Sequence, residues 1–178
     1  DAVVTRSGTA IDREFLESAP RLKVAARAGV GVDNIDLAEA SRRGVVVINA
    51  PTGNTLAATE HTMALMLSMA RRLPQAHASV TSGAWDRKSF MGFQLHGRRL
   101  LVVGLGRIGT QVALRAKAFG MEVSAYDPYV SAARMESLGV KRREDLHQGL
   151  SQADIVTLHV PATPETRGII GRGEFKAL

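Results

Sequence analysis

The run Leu100-Leu101-Val102-Val103 stops at a glycine, and Gly104, Gly106 and Gly109 then spell G-x-G-x-x-G at the head of a helical pattern. This stretch restricts the fold more than any other, because each glycine answers a separate steric demand. Gly104 allows the tight turn out of the strand. Gly106 has no Cβ, so a pyrophosphate can come close to the backbone. Gly109 lets the next helix pack closely on the sheet. The N-terminus of that helix offers unpaired N–H groups and a partial positive charge to the phosphates.

The context the motif requires is also present. Residues 107–119 read as a helix, with Ile108, Val112, Leu114 and Ala118 among its apolar positions and Gly120 just past its end. Glu122 to Asp127 then alternates like a strand and closes on an acid. That acid falls about 20 residues past the motif, where a ribose 2′-hydroxyl would be read. Standing alone before Pro128, Asp127 would be a turn residue. After a complete β-G-x-G-x-x-G-α-β unit it reads as the ribose acceptor of an NAD site.

Around this unit the chain alternates strand and helix. Residues 1–50 read as β-α-β-α-β: Ala2 to Thr5, a helix Arg13 to Ser18 capped by Asp12, and Leu22 to Ala28. A second helix, capped by Asp36, runs to Arg43 with Gly44 at its stop, and Val45 to Ile48 is a β-branched run suited to a strand buried on both faces. Such alternation implies a parallel sheet with ligands beyond the carboxyl ends of its strands. Those ends carry Arg6-Ser7, Gly29-Val30-Gly31 and Asn49 to Asn54, a plausible cradle for a small carboxylate or phosphate. A solvated surface charge is an equally good reading of Arg6.

Turn formers from Asn49 to Asn54 read as a hinge between lobes. A methionine-rich helix then reaches about Leu73, in which His61 is structural, and Pro74 to Gly92 forms an extended or partly helical arm bearing Trp85 to Met91. Exposed aromatic and basic residues together there suggest a subunit contact. Past Asp127 come a helix near Ala132 to Leu138, a short strand at Val140 and a helix from Arg143 to Leu150. A buried strand Ile155 to Val160 follows, stopped by Pro161, and beyond a turn at Thr163–Thr166 a helix begins that has no cap before Leu178. The expected architecture is α/β: a Rossmann-like doubly wound parallel sheet over 51–178, with part of a flavodoxin-like lobe over 1–50.

Composition narrows the partners. The 178 residues include no cysteine, which excludes disulfides and thiolate chemistry and favours a reducing cytoplasm. No apolar run approaches the roughly 20 residues of a membrane span, and no metal-ligand spacing occurs. Net charge is +6, but the lysines and arginines are scattered and aromatic residues are few, so nucleic acid is not expected as a partner. The chain opens on Asp1 in a strand pattern and stops at Leu178 inside a helical one, so it reads as a piece of a longer protein.

Four blocks in this order resemble the NAD-dependent D-isomer-specific 2-hydroxyacid dehydrogenases: Arg27 to Asp36, Asn49 to Thr55, Trp85 to Gly92, and Gly104 to Gly109. The resemblance covers nearly the whole chain. It implies a substrate lobe and a nucleotide lobe, with substrate held between them, and a homodimer or homotetramer. On the substrate side it implies Arg6, Ser7, Gly29, Val30 and Asn54, with Arg87 on the arm reaching the phosphate of a neighbouring subunit's substrate. On the cofactor side it implies Arg107, Ile108, Asp127 and the segment His159-Val160-Pro161, beside Gly104, Gly106 and Gly109. Val30 stands where some relatives have Thr or Ser, so only its backbone can serve there.

The resemblance places the family's catalytic Arg, Glu and His beyond Leu178, so no catalytic residue is expected within 1–178. His159 is the tempting local substitute, but its place at a strand end favours a structural or cofactor-side role. The implied reaction is NAD-dependent oxidation of 3-phosphoglycerate to 3-phosphohydroxypyruvate in serine biosynthesis. A sister enzyme acting on glyoxylate, hydroxypyruvate or another 2-hydroxy acid is the alternative within the family. A non-catalytic NAD-sensing corepressor-like module is the alternative outside it.

Overall fold

A computed structural model describes residues 1–177, which divide into two compact units, Asp1–Thr55 and the residues from Leu56 onward. The turn-rich segment up to Thr55 belongs to the first of them.

The first unit is a three-stranded parallel sheet in the order β1 (Ala2–Thr5), β2 (Val24–Arg27), β3 (Val46–Asn49). Two short helices, α1 (Arg13–Ser18) and α2 (Leu37–Arg42), make the crossovers. Each begins where an aspartate can accept a backbone N–H: Asp12 from Phe15 and Asp36 from Glu39, both at 2.9 Å. Gly44 ends α2 at φ +69°, a backbone conformation that glycine adopts without steric cost. Ile11, Leu16, Ala25, Ile35, Ala40 and Val45 form the core. Glu39 is buried there, and its carboxylate is paired with the guanidinium groups of Arg42 and Arg43.

One expectation fails in this unit. The run Val45 to Ile48 is not buried on both faces: Val45 is buried in the core just before the strand, and β3 (Val46–Asn49) is an edge of this sheet. Val46 is 57% and Ile48 50% exposed, and both sit in register with β2 residues of the same uncovered face. The core gathers on the other face, where Val3 and Val47 pack with Ala25. β-Branching selects the strand conformation but says nothing about how many layers cover it.

The second unit holds a four-stranded parallel sheet in the order β6-β5-β4-β7. Its elements are β4 (Arg99–Val103), α5 (Arg107–Ala118), β5 (Glu122–Tyr126), α6 (Ala132–Ser137), β6 (Lys141–Arg142), α7 (Leu146–Ser151) and β7 (Ile155–Leu158). The chain steps outward from β4 through β5 to β6, then returns to pair β7 on the other side of β4. That reversal is the topological switch of a doubly wound fold, and the crevice for a ligand opens there. Leu100, Leu101, Val102 and Val103 are fully buried because both faces are covered. Leu100 and Val102 join the cluster with Val112, Ala113 and Ala116 of α5, and Leu101 and Val103 join Leu150 of α7. Each such side chain contributes roughly 1.5–3 kcal/mol.

Two further expectations are corrected here. The methionine-rich helix α3 (Thr55–Ala70) does not run to Leu73. Arg72 takes a left-handed conformation (φ 50°), and a separate helix α4 (Leu73–Thr81) starts with Pro74 in its first turn, where a missing N–H costs nothing. The strand expected over Ile155 to Val160 ends at Leu158 and is half-buried, with Leu158 48% exposed, because β7 is an edge of this sheet.

Past the arm the chain comes back onto α3, with the Phe93 N–H donating to the Ala70 carbonyl at 2.9 Å. A Cβ on Gly92 would meet that same carbonyl oxygen at 2.0 Å, so the crossing requires glycine. The last helix, α8 (Arg172–Ala177), is capped at its start, where the Glu174 carboxylate accepts the Gly171 N–H at 2.9 Å. Leu178 lies outside the described residues. Among the described residues no helix is long and apolar enough to cross a membrane.

Candidate functional site

The carboxyl end of β4 builds the site. Gly104 takes φ +90°, and a Cβ there would lie 2.7 Å from the His159 carbonyl oxygen, so the loop can turn only with glycine. Gly109, in the first turn of α5, is buried, and its Cβ would fall 2.0 Å from the Gly104 carbonyl oxygen. This contact sets how closely α5 approaches the end of β4. Gly106 behaves in the opposite way. It is exposed, and an added Cβ would meet nothing within 4 Å. It is the N-cap of the 12-residue helix α5, makes no side-chain cap hydrogen bond, and borders the cleft with bare backbone.

The flanking strands fix the rest. The Gly104 N–H donates to the Tyr126 carbonyl at 2.9 Å, and the His159 N–H donates to the Val103 carbonyl at 2.8 Å. Asp127, one residue past β5, accepts the Leu105 N–H on Oδ2 at 2.7 Å and the Tyr129 N–H on Oδ1 at 2.9 Å. Each carboxylate oxygen keeps a lone pair for a further donor. His159 is half-buried past the end of β7, with Nε2 3.0 Å from the Thr157 hydroxyl, and burial pushes its pKa down.

These residues border one cleft of about 390 Å³. Of the nine residues singled out in the sequence for a cofactor, Gly104, Gly106, Asp127, His159, Val160 and Pro161 line it. Gly109 lies beneath it, Ile108 packs against the main core, and Arg107 is exposed at the first residue of α5. Sequence reasoning passed over Tyr126, Pro128, Tyr129, Thr163, Glu165, Thr166 and Ile169, which with Val103 of β4 complete the lining. Tyr126, Pro128 and Tyr129 stand at or just past the end of β5, and Thr163, Glu165, Thr166 and Ile169 in the segment after β7, so strand order and no local motif brings them together. The cleft fits an adenine dinucleotide on three counts: bare backbone at Gly106, an acid on one wall, and apolar surface at Val160, Pro161 and Ile169.

The residues singled out for substrate stand elsewhere. Arg6, Ser7, Gly29, Val30 and Asn54 follow the carboxyl ends of β1, β2 and β3 in the first unit. Backbone and amide bonds order that rim: the Asn49 side chain donates to the Val30 carbonyl at 2.6 Å, and the Asn34 side chain donates to the Arg6 carbonyl at 3.1 Å. Arg27, not singled out, lies under this loop and donates to the Gly31 carbonyl and to Asp33. Arg6, Ser7 and Asn54 are exposed. Arg87 is exposed on the arm of the second unit, next to a turn in which Asp86 accepts the Lys88 and Ser89 N–H groups at 3.1 Å each.

Parallel strands in switch-point order, three glycines with separate steric duties and an acid past the second strand define a dinucleotide-binding dehydrogenase domain. Residues 63–178 match the NAD binding domain of the D-isomer specific 2-hydroxyacid dehydrogenases, and the chain belongs to that family. It is 52% identical over 178 residues to D-3-phosphoglycerate dehydrogenase of Archaeoglobus fulgidus, covering all of this chain and 34% of that protein. It thus spans about a third of the length of the curated relatives it matches. Among solved structures it is similar to D-lactate dehydrogenase of Aquifex aeolicus complexed with NAD and lactic acid. That match has a TM-score of 0.91 at 29% identity, over 99% of this chain and 53% of that one. An acyclic imino acid reductase in complex with NADPH shares the fold, with a TM-score of 0.88 at 24% identity over all of this chain and 56% of that one.

Proposed function

We propose that this chain is the NAD-binding portion, with part of the substrate lobe, of a D-2-hydroxyacid dehydrogenase that oxidises 3-phosphoglycerate to 3-phosphohydroxypyruvate. The observation that carries this reading is the 52% identity to a D-3-phosphoglycerate dehydrogenase across all 178 residues, together with the cleft beside Gly106. NAD, when bound, accepts the hydride from the hydroxyl carbon of the substrate. The residues of this chain hold and orient. Backbone N–H groups at Gly106 and the start of α5 receive the pyrophosphate. Asp127 accepts the ribose hydroxyls with the lone pairs that Leu105 and Tyr129 leave open, and Val160 and Pro161 flank the adenosine. His159, kept neutral by burial, holds the end of β7 and takes no part in proton transfer.

In the same reading Arg6, Ser7, Gly29, Val30 and Asn54 meet the substrate, and Arg87 reaches the substrate phosphate of a neighbouring subunit. The enzyme is a cytoplasmic homodimer or homotetramer. The subunit contact is supported by α3 and the arm, where Leu65, Met69, Trp85 and Met91 are each more than half exposed on the surface of the second unit. Two measurements test the function. The 178-residue chain should quench or shift NADH fluorescence on binding, and a protein extended to the length of its relatives should form NADH from 3-phosphoglycerate. NADH formation from lactate or glycerate, with none from 3-phosphoglycerate, would move the assignment to a sister enzyme.

A further inference from the structure

The cleft at the switch point has two walls with different origins. One follows β5 and carries Asp127. The other follows β7 and carries the turn Thr163 to Thr166, with Glu165 lining the cleft. The turn is built to hold its shape: the Thr163 N–H donates to the Thr166 hydroxyl at 2.9 Å, and the Arg167 N–H donates to the Thr163 carbonyl at 2.9 Å. The Glu165 carboxylate is held below the usual carboxylate range by its own backbone N–H and by Thr163, so it is ionised at neutral pH. The imidazole of His159 on the same wall is kept neutral by burial.

Among the described residues that line the cleft, none is lysine or arginine. Arg167 borders the neighbouring hollow beside Ile170, and Arg107 sits on α5 outside the lining. The cleft therefore presents two fixed negative charges, one per wall, and no lining cation to offset them. The fold itself does not choose between the two dinucleotides, since the imino acid reductase that shares it is in complex with NADPH.

We propose that Glu165 is a second cofactor-discriminating acid, which with Asp127 on the opposite wall excludes a dinucleotide bearing a 2′-phosphate. This rests on the reading of the cleft as the dinucleotide site. The mechanism is Coulombic and acts at a distance. A carboxylate about 8 Å from a phosphate dianion in water-like dielectric weakens its binding by about sixfold without screening and by about threefold at an ionic strength of about 20 mM, and the effect fades once the screening length is shorter than the separation. A contact that served the adenosine shared by both dinucleotides would act on both alike and would not fade with salt.

Fluorescence titration of the 178-residue chain with NADH and with NADPH tests it, at ionic strengths of about 20 mM and about 0.5 M. In Glu165→Gln the affinity for NADPH relative to NADH should rise about threefold at low salt, and in Glu165→Lys about tenfold. Most of either gain should vanish at high salt. Melting curves of both variants should overlay the parent, since the side chain is exposed. An unchanged ratio overturns the proposal, as does a gain that survives high salt or an equal loss of both cofactors. If the parent chain binds neither dinucleotide, the cofactor reading falls and this inference falls with it.

Discussion

Asp127 Oδ2 lies 2.7 Å from the Leu105 backbone nitrogen, so the acid past β5 is tied to the glycine loop past β4 before any ligand arrives. Tyr129 N–H occupies the other oxygen at 2.9 Å. Asp127 therefore has two duties in the proposed site: it holds the loop, and it presents its remaining lone pairs to the ribose.

The consequence is measurable in Asp127→Asn. An amide nitrogen would face one of two N–H donors, leaving a part-buried donor without an acceptor at a cost of about 1–3 kcal/mol. The melting temperature should fall by about 2–4 °C for each kcal/mol in a chain of this size. NADH affinity should drop about tenfold or more in a fluorescence titration, because a charge-assisted acceptor is lost as well. Loss of binding with an unchanged melting curve would show that Asp127 serves only the ligand.

Gly106 and Gly109 separate stability from binding. Gly109→Ala places a methyl 2.0 Å from the Gly104 carbonyl oxygen, so α5 must shift. Overpacking of this kind costs about 1–3 kcal/mol, and the variant should melt lower and bind NADH poorly. Gly106→Ala meets no protein atom within 4 Å. Its melting curve should match the parent while its NADH affinity falls, because the methyl enters space reserved for the pyrophosphate. Equal NADH affinity in Gly106→Ala and the parent would sink the placement of the phosphates.

What the sequence disclosed follows from local chemistry. The caps at Asp12 and Asp36, the stop at Gly44 and the glycine triad at Gly104 to Gly109 are short-range requirements, and each is legible from a few neighbours. The exposure of Val46 and Ile48 was not legible, because it depends on which layers cover the sheet. The break at Arg72 was hidden because Pro74 is as compatible with the start of a new helix as with the end of an old one. In the site, Glu165 and Tyr129 were missed because neither belongs to a motif. They line the cleft through the order β5-β4-β7, which brings segments more than 30 residues apart to one rim.

Arg99 and Asp154 give a pH signature. The Asp154 carboxyl is held well below the usual range, first by the Arg99 guanidinium, whose Nη2 lies at 2.8 Å, and also by the Arg99 N–H at 2.8 Å. A carboxyl whose folded pKa is depressed contributes its stability fully above its unfolded pKa of about 3.9, and that stability is lost as pH falls through the folded value. The melting-temperature gap between the parent and Asp154→Asn should therefore be constant from about pH 8 to pH 5 and close below about pH 4. Added salt should narrow the gap, because Arg99 is half-exposed. A gap that widens on acidification would be incompatible with this pairing.

His159 should show the complementary behaviour at milder pH. Its ring is half-buried beside the cleft, and burial lowers its pKa from the ordinary value of 6.5. The unfolded chain then takes up the proton first as pH falls, so the folded state loses stability between about pH 6.5 and the lower folded value. Above about pH 7.5 both states are neutral at this residue and the contribution is flat. His159→Gln removes the titration and keeps a polar group within reach of the Thr157 hydroxyl, which lies 3.0 Å from Nε2 in the parent. The parent should therefore lose melting temperature relative to this variant as pH is lowered from about 7.5 to about 5.5, and the two should run parallel above that range. Parallel curves throughout would mean that the ring titrates at its ordinary value. A parent that gains on the variant as pH falls would mean that the imidazolium is stabilised by the acids of the cleft, so that His159 would be a cation in the site.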